Sequence, residues 1–131
     1  KMKIEELRIG NWIETKKNFT SWEGTKGISS PKKIKIFGLE FFEKLVYDNE
    51  IWLNIEEFSP ISINELWLLK LGFVKNQNHG IENYLTSDSN YYPDNKQFKI
   101  FDRFGGYIYV ENIEFVHQLQ NLYFALTQKE L

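Results

Sequence analysis

The chain has no cysteine, only two arginines, only two histidines and no long apolar run. The missing cysteine excludes disulfides, thiolate nucleophiles and zinc sites built on cysteine. Apart from Arg8 and Arg103, every basic side chain is a lysine. Lysine neutralises phosphate as a point charge but lacks the planar fork that reads bases or grips phosphate in a bidentate way. Any nucleic-acid contact is therefore expected at the backbone. His79 and His117 would both have to converge with carboxylates to hold a metal. Four residues beyond His117 stands Asn121, neither acid nor histidine. No metal and no cofactor are expected. No stretch approaches the roughly 18 apolar residues of a membrane-spanning helix. Charges at Lys3, Glu5, Glu6 and Arg8 break up the first residues, so they do not read as a signal peptide. A soluble, cytoplasmic protein without membrane contact is expected.

What is present argues for a folded chain. Its 131 residues are 42% apolar and 17% aromatic, enough for a core and against disorder. The expectation is a single domain, 1–131, with a β-rich lobe over 1–58 and an α+β lobe over 59–131. The net charge of −2 hides an asymmetry. Residues 1–35 carry nine basic and four acidic side chains; the remainder carries seven and fourteen. Such polarity suggests two faces with different partners.

Strand signals come first. Arg8 to Glu14 reads as a strand after a turn at Gly10-Asn11. Residues 15–31 read as a loop. Lys33 to Phe37 alternates, with Ile34 and Ile36 on one side and lysines on the other. Phe41 to Tyr47 and Glu50 to Ile55 read as strands joined by Asp48-Asn49, residues that tolerate positive φ. Ser62 to Glu65 fits a capping box for a short helix with Leu66, Leu69 and Trp67 buried and Gly72 ending it. Residues 76–95 read as a polar loop with one short strand. Phe98 to Phe101 and Tyr107 to Val110 flank Gly105-Gly106 as a hairpin. Asn112 is expected to cap a last helix with Val116, Leu119, Leu122, Tyr123 and Leu126 as its stripe. The order predicts an α+β fold: antiparallel sheet of about six to seven strands, a short central helix and a longer C-terminal helix.

The strongest binding signal is basic and aromatic. Lys16, Lys17, Lys26, Lys32, Lys33 and Lys35 interleave with Phe19 and Trp22. Lysines attract phosphate and exposed aromatics stack on bases, the combination that single-strand binding uses. The candidate site is Lys16, Lys17, Trp22, Lys26, Lys32, Lys33 and Lys35. Gly24-Thr25-Lys26-Gly27 lacks the spacing of a phosphate-binding P-loop. Glu40, Glu43, Asp48, Glu50, Glu56 and Glu57 meet only Lys44, and could steer association with a basic protein surface. His117 is expected either in a polar face or as a buried hydrogen-bonding group. No nucleophile stands out, and the one enzyme that can be sketched is a metal-dependent nuclease using His79, Asp94 and Asp102. Trp22, Tyr91 and Tyr92 look exposed. Phe115, Tyr123 and Phe124 widen the last helix's apolar face, so a monomer or a homodimer through that helix is expected.

Three stretches carry a resemblance. Glu6-Leu7-Arg8-Ile9-Gly10-Asn11-Trp12 resembles the opening of a family of small phage and mobile-element proteins of Bacteroidetes. Ser59-Pro60-Ile61, Glu65-Leu66 and Leu71-Gly72-Phe73 are similar to its middle block. His117-Gln118-Leu119-Gln120-Asn121-Leu122-Tyr123-Phe124-Ala125-Leu126-Thr127 resembles its closing signature, with Gln128 where glycine is usual. The resemblance implies a phage origin, action in the host cytoplasm and no catalytic residues. It further suggests an anti-CRISPR role. The expected function is a non-enzymatic inhibitor that binds a host defence protein or ribonucleoprotein, such as an RNA-guided CRISPR nuclease or its guide RNA. The alternative is an interaction module acting on host replication or transcription proteins.

Overall fold

Side chains alternate between the two faces of a strand, so a sheet with one wet face needs apolar residues at every second position. The structure, a computed structural model, has an antiparallel α+β fold with two α-helices among the described residues, as the sequence predicts. It describes residues 2–16, 32–78, 80–101 and 104–131. The chain forms two compact units, Lys1–Ile61 with Val116–Asn121, and Ser62–Phe115 with Leu122–Leu131.

The first unit contains β1 (Trp12–Thr15), β2 (Lys33–Lys35), β3 (Gly38–Glu40), β4 (Leu45–Tyr47), β5 (Trp52–Asn54) and β6 (Phe58–Ser59). They make two three-stranded sheets, β2-β1-β6 and β3-β4-β5. Ile13 pairs with Ile34, and both are buried; Glu14 pairs with Lys33 and Trp12 with Lys35 on the other face. Gly10, at φ +99°, makes the expected turn into β1. Ile4, Ile13, Ile36, Val46 and Phe58 form the centre of this unit's core. The strand expected over Phe41 to Tyr47 is shorter than predicted. Residues 41–44 turn instead, because the Glu40 carboxylate accepts from the amides of Phe42 and Glu43, and Lys44 adopts φ +59°. Asp48-Asn49 turns as predicted. Asn49 lies at φ +83°, and Asp48 Oδ1 accepts from the amides of Glu50 and Ile51.

The second unit holds α1 (Glu65–Lys70), then β7 (Val74–Asn78), β8 (Ile81–Leu85), β9 (Ser89–Tyr92), β10 (Gln97–Phe101) and β11 (Tyr107–Val110). These five strands form one meander, ordered β11-β10-β9-β8-β7. The polar stretch 76–95 is thus mostly sheet, not loop. Its asparagines and Gln77 hid the pattern, since only Tyr84 and Tyr91 mark the apolar face. Those two pair with each other and are buried, and Tyr91 pairs onward with buried Phe98. Tyr91, whose burial the sequence leaves open, is therefore a core residue. Its hydroxyl donates to the Ile113 carbonyl at 2.6 Å, and burial pushes its pKa up to about 12.

Helix α1 begins two residues later than the capping box predicts. Asn64 is the N-cap, its side chain accepting from the Trp67 amide at 2.9 Å. Ser62 instead bridges to Phe115. Glu65 is drawn off by Lys75, 2.9 Å away, and by the Tyr84 hydroxyl. Lys75 and then Tyr84 hold the Glu65 carboxyl below its ordinary value. The buried stripe is Trp67 and Leu68, whereas Leu66 is 78% exposed and Leu69 half-exposed. A six-residue helix spans fewer than two turns, too few for apolar spacing to fix its phase. Gly72 ends it at φ +99°, as predicted.

The last helix, α2 (Val116–Thr127), starts at Val116 rather than after Asn112. Asn112 takes φ +62°, and the Ile113 amide donates to the Lys96 carbonyl. Residues 116–121 belong to the first unit and 122–127 to the second. Val116, Leu119 and Tyr123 are buried. Tyr123 packs edge-on against Phe98 and donates to Asp88 Oδ1 at 3.0 Å. That places Tyr123 in the core, where it cannot widen a dimer face. Gln128 lies at φ +63° and donates its amide to the Phe124 carbonyl, a left-handed helix end without glycine.

Candidate functional site

The predicted binding residues fall into two groups. Lys17, Trp22 and Lys26 lie outside the described residues. Lys16, Lys32, Lys33 and Lys35 are all exposed on the β1–β2 part of the first unit. Strand alternation puts Lys33 and Lys35 outward because Ile34 must point inward. The end of this pair is tied by the Thr15 amide donating to the Lys32 carbonyl and the Lys32 amide donating to Thr15 Oγ1. Lys16 follows, its amide donating to the Glu57 carbonyl. Glu14 faces Lys33 across the pair, so the outer face is basic but not purely so. The arrangement suits attraction to phosphate, with no fork geometry to read a base.

The acidic side chains divide as well. Glu40 and Asp48 are engaged by turn amides, as described above, which gives them a structural task. Glu56 and Glu57 lie in a 3-10 turn capped by Asn54. The turn held by Glu40 presents Phe41 and Phe42, the latter 90% exposed. An open cleft of about 410 Å³ in this unit is lined by Met2, Ile4, Lys44, Ile55 and Glu56, among others. It gathers no reactive set.

Of the sketched nuclease triad only Asp94 falls among the described residues, where it is exposed; His79 and Asp102 lie outside them. Among the described residues no group of three potential ligands could hold a metal.

A polar network that sequence reasoning missed lies in the first unit. Asn11 is fully buried, and its Nδ2 donates to Asn121 Oδ1 at 2.7 Å. Asn121 Nδ2 returns a bond to Asn11 Oδ1 and donates to the Glu6 carbonyl. Gln120 donates to the Gly10 carbonyl and accepts from the Trp12 amide at 2.9 Å. Arg8 Nε reaches Asn121 Oδ1, and His117 Nε2 lies 3.2 Å from Glu6 Oε1. His117 is buried, which lowers its pKa; the Glu6 carboxylate partly offsets this. His117 is thus the buried hydrogen-bonding group of the two expectations. The network joins the Glu6-to-Trp12 stretch to His117–Asn121, two of the stretches that carry the resemblance. Its chemistry is that of a lock: buried amides satisfying turn carbonyls and amides. The available signal was the cluster of amide side chains on a helix face that is otherwise apolar.

Comparison with family models, curated proteins and solved structures returns no match to this chain.

Proposed function

We propose that this chain works by binding, without a reaction of its own, as a phage-encoded inhibitor that docks on a host defence complex. The partner that fits is an RNA-guided CRISPR nuclease carrying its guide RNA. The carrying observation is the exposed lysines at the β1–β2 pair: Lys33 and Lys35 on the outward side of β2, with Lys16 and Lys32 exposed beside the strand ends. Lysines on a rigid strand attract phosphate without demanding sequence. The resemblance to small phage proteins supports the setting, and the amide lock supports reading its motifs as scaffold.

The test is affinity capture of the tagged chain from host extract, with and without ribonuclease. A nuclease should be recovered, less of it after ribonuclease, in rising salt and in the Lys33→Glu/Lys35→Glu variant. Recovery that ignores charge reversal at low salt would remove these lysines from the interface. A second reading is an interaction module for host replication or transcription proteins. It is favoured by the Phe41-Phe42 turn flanked by Glu40 and Glu43, which suits a basic protein surface with an apolar pocket. Recovery of such proteins alone would establish it.

A further inference from the structure

The register of the five-stranded sheet sorts its side chains into two unlike faces. One face is core, with Tyr84, Tyr91 and Phe98 in a row. The opposite face follows from the same pairing. Val74 pairs with Leu85, Leu85 with Asn90, Asn90 with Lys99 and Lys99 with Tyr109, one row across all five strands. Tyr92 pairs with Gln97, and Phe101 with Tyr107, on the same side. Among the described residues of these strands, this face carries no Asp or Glu.

Its β10–β11 end is open. Phe101, Tyr107 and Tyr109 are each about half exposed, at 43%, 54% and 46%. The rings meet edge to face, Tyr107 at 6.3 Å from Phe101 and 5.1 Å from Tyr109. Lys99 stands among them, its Nζ 4.2 Å from the Tyr107 centroid and 4.9 Å from that of Phe101. A soluble protein gains nothing in stability from three half-wet rings beyond their mutual contacts. The cation holds the rings in place and remains beside solvent, where it can exchange a ring for a phosphate. Next to it, Asn90, Tyr92 and Gln97 offer neutral groups that both donate and accept.

We propose that this face binds single-stranded RNA, stacking bases on Tyr107, Tyr109 and Phe101 and pairing a phosphate with Lys99. That the described strand residues of this face include no carboxylate suits a polyanion, and the ring planes accept any base. The amide and hydroxyl groups match the 2′-hydroxyl, itself both donor and acceptor, which selects RNA over DNA. This site is distinct from the β2 lysines, and either assignment can fail alone.

The experiment is fluorescence anisotropy of the full chain with a labelled mixed-sequence RNA 12-mer, the same sequence as DNA, and the RNA duplex. The RNA single strand should bind best. Tyr107→Ala should weaken it about tenfold, the loss expected for one stacked base. Tyr107→Phe should retain binding, because the ring remains. Lys99→Gln should weaken binding and flatten its salt dependence by about 0.7 in log–log slope, one phosphate contact on a single strand. Far-UV circular dichroism of each variant checks the fold. No saturable binding at low salt, or a duplex bound as well as the single strand, overturns the proposal. Equal affinity for the DNA strand overturns the assignment to RNA. Binding abolished by Lys33→Glu/Lys35→Glu and unmoved by Tyr107→Ala places the RNA on β2 instead.

Discussion

Asn11 and Asn121, 110 residues apart, exchange amide hydrogen bonds in both directions, at 2.7 and 3.1 Å. Asn11 has no exposed surface, so its amide depends wholly on protein partners. It also accepts from the Arg8 amide at 2.8 Å, which fixes the turn before β1.

Truncating Asn11 leaves buried donors and acceptors without partners. Asn11→Ala is expected to lower unfolding free energy by about 1–3 kcal/mol. Urea titration should show an earlier midpoint with an unchanged slope. Gln120→Ala should cost a similar amount, and the double variant less than the sum, because Asn11 Nδ2 donates to Gln120 Oε1 at 3.5 Å. Full additivity in that cycle would mean the amides do not act together.

His117 predicts a pH dependence with a definite sign. Burial lowers its pKa below the ordinary 6.5, so the folded state resists protonation that the unfolded state accepts. The stabilisation is complete above about pH 6.5 and is lost as pH falls through the depressed folded value. Urea midpoints of the wild type should therefore decline from about pH 7.5 to about pH 5.5. His117→Gln keeps a neutral hydrogen-bonding side chain and should show a flatter profile. Equal slopes for the two proteins would contradict this account.

Gln128 ends α2 in a conformation that glycine adopts freely. Gln128→Gly is expected to raise stability by about 1 kcal/mol, since the left-handed conformation strains a side-chain-bearing residue by roughly that much. A thermal midpoint that stays level or drops would argue against the strain.

The phase of α1 is open to a paired substitution. Leu68 is 1% exposed and Leu66 is 78% exposed. Leu68→Ala should cost about 2–5 kcal/mol and Leu66→Ala under about 0.5. The reverse order would shift the helix back to the phase that apolar spacing suggests.

How much of this was legible depends on the length over which a pattern repeats. Lys33 to Lys35 showed its inward isoleucine because strong β-formers alternate with charge. Asp48-Asn49 and Gly72 were readable because a positive φ restricts the residue type locally. Strands β7 to β9 were not, since both of their faces carry amides and, of their tyrosines, Tyr84 and Tyr91 are buried but Tyr92 is not. The open sheet face was hidden for the same reason: its aromatics are scattered through residues 92–109 and meet only by strand pairing. The Asn11–Asn121 lock was hidden by distance, because no local rule links side chains 110 residues apart.

That distance bears on how the chain is made. The first unit includes residues 116–121, so a nascent chain released up to β6 still lacks part of it. At ordinary ribosomal speeds, Asn11 waits on the order of ten seconds for Asn121 to be synthesised. Such long-range closure raises contact order and slows folding. Cutting the chain before Val116 should therefore injure the unit at the opposite end of the sequence, and fragments of residues 1–61 should aggregate rather than fold.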